Sequence, residues 1–84
     1  MPYINPNLRH LFVPYIKSLS DSIDTEGQLT YCLYTLLKSY IEKHGCNYDM
    51  LCKCMGSIEN TKHEFYRRVI APYEDKKIEE NGDV

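Results

Sequence analysis

The chain has 84 residues, of which 43% are hydrophobic and 26% charged, and its formal net charge at pH 7 is −2. This length fits one domain, the composition excludes an intrinsically disordered chain, and the weakly acidic charge disfavours polynucleotide binding. Because neither a signal-peptide pattern nor an apolar run of about 18 residues is present, we expect a cytosolic protein without a membrane span.

The first predicted helix follows a short extended lead-in, residues 1–4. Asn5 and Pro6 are typical of a helix start, since asparagine caps the first amides and proline fits the first turn. Pro14 lies inside the apolar pattern that follows, and because proline lacks a backbone donor we predict a kink there or two short helices in series. The polar residues 20–27 predict a loop. The apolar positions are Leu8, Leu11, Phe12, Tyr15, Ile16, Leu19 and Ile23.

A second helix is predicted to begin near residues 25–28 and to end at Gly45. Lys43 and His44 precede this glycine, and basic residues in the last turn followed by glycine are typical of a helix end. The apolar side chains recur at the helical period, which places them on one face. They are Leu29, Leu33, Leu36, Leu37, Tyr40 and Ile41.

A third helix is predicted to begin after Asn47, which acts as its cap, with Asp49 in the first turn. Gly56 lies in the helix interior, where glycine costs about 1 kcal/mol relative to alanine, and we expect it to allow the close approach of a neighbouring helix. The apolar residues recur at three-, four- and seven-residue spacings, as expected for one helical face. These residues, which we call the apolar seam, are Leu51, Met55, Ile58, Phe65 and Val69.

The helical pattern continues to Ile70 and meets Pro72, where we predict a kink or a restart of the helix. Residues 73–80 are predicted to add a further helical turn or two before Gly82 ends the helix. Since no period-two alternation indicates a strand, the predicted fold class is all-α. We expect a single helical domain over residues 1–84, a small bundle of three main helices with proline breaks near Pro14 and Pro72. The apolar seam and the many tyrosines exceed what one such bundle can cover, which predicts a homodimer or larger oligomer.

Metal binding and catalysis are disfavoured by the spacing of the reactive side chains. Cys52 and Cys54 are two residues apart on a predicted helix and point to nearly opposite sides, so with His44 and Cys46 they do not form a zinc site. We therefore expect no metal and no cofactor, and the cysteines, Cys32 included, are expected to be reduced thiols. No nucleophile motif or phosphate-binding loop is present, so we expect a non-enzymatic protein.

The densest group of polar side chains lies on either side of Pro72. Arg67 and Arg68 beside Tyr66 can hold a phosphate bidentately and stack a base, which indicates binding of a small phosphorylated ligand. The candidate ligand-binding residues are Lys62, His63, Tyr66, Arg67, Arg68, Tyr73, Glu74 and Asp75.

An alternative interpretation of these arginines is a structural one. In it Arg67 and Arg68 pair with the carboxylates of Glu64, Glu74 or Asp75 as a solvated network, and the residue pattern considered alone favours this interpretation. The residues after Pro72 are then a mobile charged terminus. Against this interpretation, Tyr73 and Ile78 in this tail are spaced as though they dock on another surface.

The string EFYRRVIAPYEDKKIEENGDV, together with the opening MPYINPNLR, resembles a family of short uncharacterised proteins encoded by tailed bacteriophages and prophages. The likeness covers nearly the whole chain and is sharpest over residues 64–84. Members of that family tend to end in a tyrosine just after the position of Val84, which this chain lacks. The resemblance implies a viral accessory protein that acts in the cytoplasm of a bacterial host.

Analogy with small phage proteins of this size suggests two functions. The first is a homo-oligomer that binds and sequesters an immune signalling ligand, a cyclic oligonucleotide or an ADP-ribose derivative, in a pocket between subunits. The second is a protein-binding module that inhibits or redirects a host bacterial protein, with the arginines and tyrosines as anchors. A role as a virion component stays open.

Overall fold

A computed structural model describes residues 3–84 of the chain, and Met1 and Pro2, where the predicted lead-in begins, lie outside the described residues. Tyr3 and Ile4 form a bend. No β-strand occurs between residues 3 and 84, so the predicted all-α class is confirmed. The elements in chain order are a 3₁₀-helix (Pro6–Leu11), α1 (Val13–Ser22), α2 (Glu26–His44), α3 (Tyr48–Phe65), a π-helical segment (Tyr66–Ile70) and α4 (Ala71–Asn81).

The chain divides into two units, Met1–Lys38 and Ser39–Val84, with the boundary inside α2. In the first unit the amide of Asn7 donates to the side-chain oxygen of Asn5 over 2.9 Å, which confirms the predicted cap. The 3₁₀-helix is followed by α1, which has Pro14 in its first turn. The backbone N–H that proline lacks would have no helical partner in a first turn, so Pro14 is tolerated there. The two short helices in series are therefore as predicted.

The loop predicted over residues 20–27 is too long. The non-helical residues between α1 and α2 are residues 23–25. The amide of Gln28 donates to Thr25 Oγ1 over 3.2 Å, while the Gln28 side-chain oxygen accepts from the amides of Asp24 and Thr25 over 2.7 and 3.2 Å. This reciprocal capping box satisfies amides that the helix leaves free, and α2 therefore begins at Glu26.

The helix ends of the second unit lie where the sequence predicts them. Gly45 has φ +99° and its amide donates to the carbonyl of Ile41 over 2.8 Å. Asn47 caps α3 by accepting from the amide of Met50 over 3.0 Å. Gly82, with φ +86°, follows α4. The left-handed conformation at both glycines carries no Cβ penalty, which explains why these helices end there.

The predicted break near Pro72 is a change of helix type without a non-helical residue. The backbone is helical from Tyr48 to Asn81, and within it the segment Tyr66–Ile70 is π-helical. The amide of Ala71 donates to the carbonyl of Tyr66, five residues earlier. Pro72 occupies the first turn of α4, and α4 is longer than the predicted turn or two.

Very little of the described chain is buried. Cys54, which is 9% exposed, is the one buried residue among residues 3–84. Side chains of the apolar seam such as Ile58 and Phe65 are 44% and 55% exposed. The described residues of one chain thus do not provide the core of the predicted bundle. No helix within residues 3–84 combines the length and the apolar character needed to cross a membrane.

Two glycines should respond in opposite ways to alanine substitution. A Cβ built on Gly56 has no neighbouring atom within 4 Å, so the predicted close approach of a helix there is wrong for the described chain. Gly56→Ala is expected to raise the free energy of unfolding by about 1 kcal/mol because alanine favours the helix. Gly45→Ala is expected to lower it by about 1 kcal/mol because of the positive φ. Urea denaturation measures both, and a loss in Gly56→Ala would contradict an open surface at that position.

Candidate functional site

The predicted ligand-binding residues lie on three consecutive helical elements, residues 62–75, which we call the polar segment. Two belong to the last turn of α3, three to the π-helical segment and three to the first turn and a half of α4, and all of their side chains are exposed. In chain order they are Lys62 and His63, then Tyr66, Arg67 and Arg68, then Tyr73, Glu74 and Asp75.

Glu64 joins the two arginines. Arg67 Nη2 donates to Glu64 Oε1 over 2.7 Å, and Arg68 Nε donates to the same oxygen. The spacings of three and four residues bring these side chains to one side of the helix. Of the carboxylates considered from the sequence, Glu64 is the one within ion-pair distance of the arginines in the described chain, and Glu74 and Asp75 are not.

The arginines keep most of their binding capacity in this arrangement. A guanidinium group has five N–H donors, and Glu64 accepts from one nitrogen of each arginine. The side chains of Arg67 and Arg68 are 66% and 64% exposed, so their remaining donors face solvent. Two positive charges beside one negative charge leave the trio with a surplus positive charge. Glu64 therefore fixes the orientation of the arginines without neutralising them.

Two other residues of the polar segment, His63 and Tyr73, have partners of their own. His63 Nε2 lies 2.8 Å from Glu59 Oε1, and Lys77 Nζ lies 5.6 Å from the ring centre of Tyr73. The structure thus brings Arg67 and Arg68 together. His63 and Tyr73 instead contact Glu59 and Lys77, which were not predicted from the sequence. The four-residue spacing of both pairs was the available signal. Within residues 3–84, Lys62 has no carboxylate at ion-pair distance.

Across the π-helical segment, the Glu74 carboxylate influences the ionisation of the Tyr66 hydroxyl. Hydrogen bonding to the Glu74 carboxylate and its negative charge raise the pKa of the Tyr66 hydroxyl, and Asp75 contributes in the same direction. Because the ordinary value is already 10.0, the raised pKa extends the protonated form of this hydroxyl further into alkaline pH. The Tyr66 ring is 50% exposed and remains accessible for stacking.

The ion pairs of Glu64 should make the helix around it sensitive to acid. Hydrogen bonds from Arg68 and then Arg67 lower the pKa of Glu64 from its ordinary value of 4.5. A lowered folded-state pKa means that the contribution is present above pH 4.5 and is lost as the pH falls through the lowered pKa. We expect an NMR titration to show Glu64 protonating below the ordinary pH of a glutamate side chain during acidification, with a small loss of helix. In Arg67→Gln/Arg68→Gln, Glu64 should titrate at its ordinary pH, and an unchanged titration would contradict the pairing.

The remaining side chains fit other chemistry less well. Among residues 3–84 no three histidine, cysteine, aspartate or glutamate side chains are grouped so as to hold a metal ion. Cys52 is exposed and Cys54 buried, as expected for residues on opposite sides of a helix. An open groove of about 350 Å³ in the first unit has a largely apolar wall without a charged side chain, which does not suit a phosphate. Its lining residues are Leu19, Ser22, Ile23, Gly27, Gln28, Tyr31 and Cys32.

A family described as Domain of unknown function (DUF6899) matches residues 1–84. The chain belongs to this family. No curated protein and no solved structure matches it. The description of the DUF6899 family names neither an activity nor a residue role.

Proposed function

We propose that this DUF6899 chain is a non-enzymatic accessory protein of a bacteriophage that acts as a homo-oligomer in the bacterial cytoplasm. It binds a small phosphorylated ligand of nucleotide type, a cyclic oligonucleotide or an ADP-ribose derivative, and keeps this immune signal from its receptor. The observation that carries the proposal is the exposed pair of guanidinium groups oriented by one carboxylate, with the accessible ring of Tyr66 preceding them in the sequence.

The arginine pair is suited to a phosphate group. Arg67 and Arg68 are held by Glu64, so less side-chain freedom is lost when a ligand binds, and affinity improves accordingly. Phosphate oxygens accept from the free N–H groups, and Lys62 adds a mobile positive charge. A base or ribose stacks on Tyr66. Glu74 and Asp75 are placed one to two turns away, where they accept from ribose hydroxyls.

The exposed apolar seam supports the oligomer. Burying a side chain such as Leu51, Ile58 or Phe65 contributes about 1.5–3 kcal/mol, and the single chain leaves these side chains about half exposed. A chain of this size needs that contribution, because its core is otherwise too small to offset the entropy of folding. In the proposal, second copies cover the seam, complete the helical bundle and form the ligand pocket between subunits.

Thermal-shift measurements test the ligand. Cyclic dinucleotides, cyclic trinucleotides and ADP-ribose isomers are added at about 100 μM, where a ligand of about 1 μM affinity adds roughly 2.7 kcal/mol to the free energy of unfolding. We expect at least one of them to raise the melting temperature, while the matching nucleosides without phosphate do not. Absence of any shift across the set would contradict ligand sequestration.

A protein-binding module is the second candidate. The observation that favours it is that both arginines already have a carboxylate partner, which weakens their attraction for a free anion but leaves them exposed beside an aromatic ring. Arginine and tyrosine are the residue types most often found as anchors of protein interfaces. Affinity purification from a bacterial lysate separates the candidates. One stoichiometric host protein, lost in Arg67→Ala, together with no ligand shift, would favour this function.

A further inference from the structure

The π-helical segment Tyr66–Ile70 decides which side chains of the polar segment share one face of the helix. In an α-helix successive residues are rotated by about 100°, so residues eight apart are about 80° out of line. A π-helical turn takes up one additional residue, and the residues after it behave as if they were one position nearer. Tyr66 and Glu74 then correspond to residues seven apart, which are within about 20° of alignment.

The described contacts agree with this register. The amide of Ala71 donates to the carbonyl of Tyr66, five residues earlier. On the far side of that wider turn, the Glu74 carboxylate raises the pKa of the Tyr66 hydroxyl, as this register leads one to expect. On the near side, both arginines contact Glu64 in the preceding α-helical turn. The π-helical segment thus lies between Glu64, which pairs with the arginines, and Glu74, which acts on Tyr66.

Pro72 explains why the α-helical pattern of hydrogen bonds does not continue. It has no N–H to donate to the carbonyl of Arg68, and in a regular α-helix its ring would clash with that carbonyl. The wider turn removes the clash while the chain stays helical. Pro72 lies in the first turn of α4, where a missing N–H is tolerated.

We propose that Pro72 is a positioning residue that holds Tyr66–Ile70 in the π-helical register and thereby sets Glu74 against Tyr66 and away from the arginines. Without it, Tyr73 takes the place of Glu74 opposite Tyr66, and the Glu74 carboxylate turns by about 100° around the helix. The inference rests on the proposed function in one respect, namely that this surface binds a ligand.

The test is the titration of Tyr66 in protein with ¹³C-labelled tyrosine, assigned with Tyr66→Phe, and it needs no ligand. In Pro72→Ala and Pro72→Gln, both of which restore the N–H, the Tyr66 titration midpoint is expected to fall to that of Glu74→Gln. Alanine and glutamine are good helix formers, so the fold is not endangered. Pro14→Ala, at the matching position of α1, is expected to leave the midpoint unchanged.

A rescue variant separates the register from a general loss of structure. Pro72→Ala/Tyr73→Glu/Glu74→Gln places the carboxylate at the position that faces Tyr66 in a regular α-helix, and it is expected to restore the high midpoint. An unchanged midpoint in both single Pro72 variants, or no restoration in the triple variant, would overturn the role of Pro72. If the wild type binds none of the nucleotide probes, the proposed function fails, while the titration still decides the register.

Discussion

Replacing Ile58 by glutamate is expected to dissociate the proposed oligomer and to unfold most of the helix. Ile58 lies in the middle of the apolar seam and is 44% exposed in the single chain. In the proposed oligomer it is covered by another copy, and its burial contributes about 1.5–3 kcal/mol. An unpaired carboxylate at a buried position costs several kcal/mol more. We expect a total loss of about 5 kcal/mol, comparable with the lower end of the stability of a whole domain.

Light scattering and circular dichroism over a range of protein concentrations measure this effect. Asn60→Glu is the matched control, because it adds the same charge to the same helix at an exposed polar position. It is expected to keep the mass and the helix content of the wild type. The wild-type melting temperature should also rise with concentration, as mass action requires of an oligomer. A monomeric wild type, or an Ile58→Glu variant with unchanged helix, would contradict the proposed assembly.

Replacing both Arg67 and Arg68 by glutamine is expected to weaken binding of the phosphorylated ligand at least about a hundredfold. A hydrogen bond to a charged group contributes about 1.5–3 kcal/mol, and losing one such bond from each arginine removes about 3 kcal/mol or more, which corresponds to that factor. One nitrogen of each arginine donates to Glu64. The remaining N–H donors of the two guanidinium groups are therefore those that bind the phosphate. Calorimetry with the nucleotide that gives the largest thermal shift measures the change.

Lys53→Gln is the control for the loss of a cation. Lys53 pairs with Asp49 over 3.0 Å in the first part of α3, outside the polar segment, and its side chain is 56% exposed. Its replacement lowers the positive charge but should change affinity by less than about twofold, since an exposed ion pair contributes little. Equal losses in Lys53→Gln and Arg67→Gln/Arg68→Gln would indicate general attraction to charge and contradict a defined site.

The capping residues and helix ends could be predicted because their interactions are local. Asn5 and Asn47 accept hydrogen bonds from amides two and three residues later, and Gly45 adopts the left-handed conformation that ends α2. Such contacts depend on a few consecutive residues and on backbone sterics. The loop between α1 and α2 was predicted too long because its polar residues conceal the reciprocal cap formed by Gln28.

The contacts of the candidate site follow only in part from the spacing of its residues. Glu64 lies three and four residues before the arginines, a spacing at which helical side chains meet, whereas Glu74 and Asp75 lie six to eight residues after them. The structure agrees with this spacing, since both Arg67 and Arg68 contact Glu64 near the end of α3. Glu74 faces Tyr66 instead because the π-helical segment intervenes. Proline patterns indicate that the α-helical hydrogen bonding must change near Pro72, without specifying whether the chain kinks, restarts or widens.

Local sequence is thus sufficient for the all-α class, for the caps and for most helix boundaries, because backbone hydrogen bonding within a few residues governs all three. The helix register around Tyr66–Ile70, the position of Glu74 relative to Tyr66 and the exposure of the apolar seam emerge only in three dimensions. They depend on how each turn of the helix is wound and on which surfaces another element covers, and neither follows from the residue spacing of a regular α-helix.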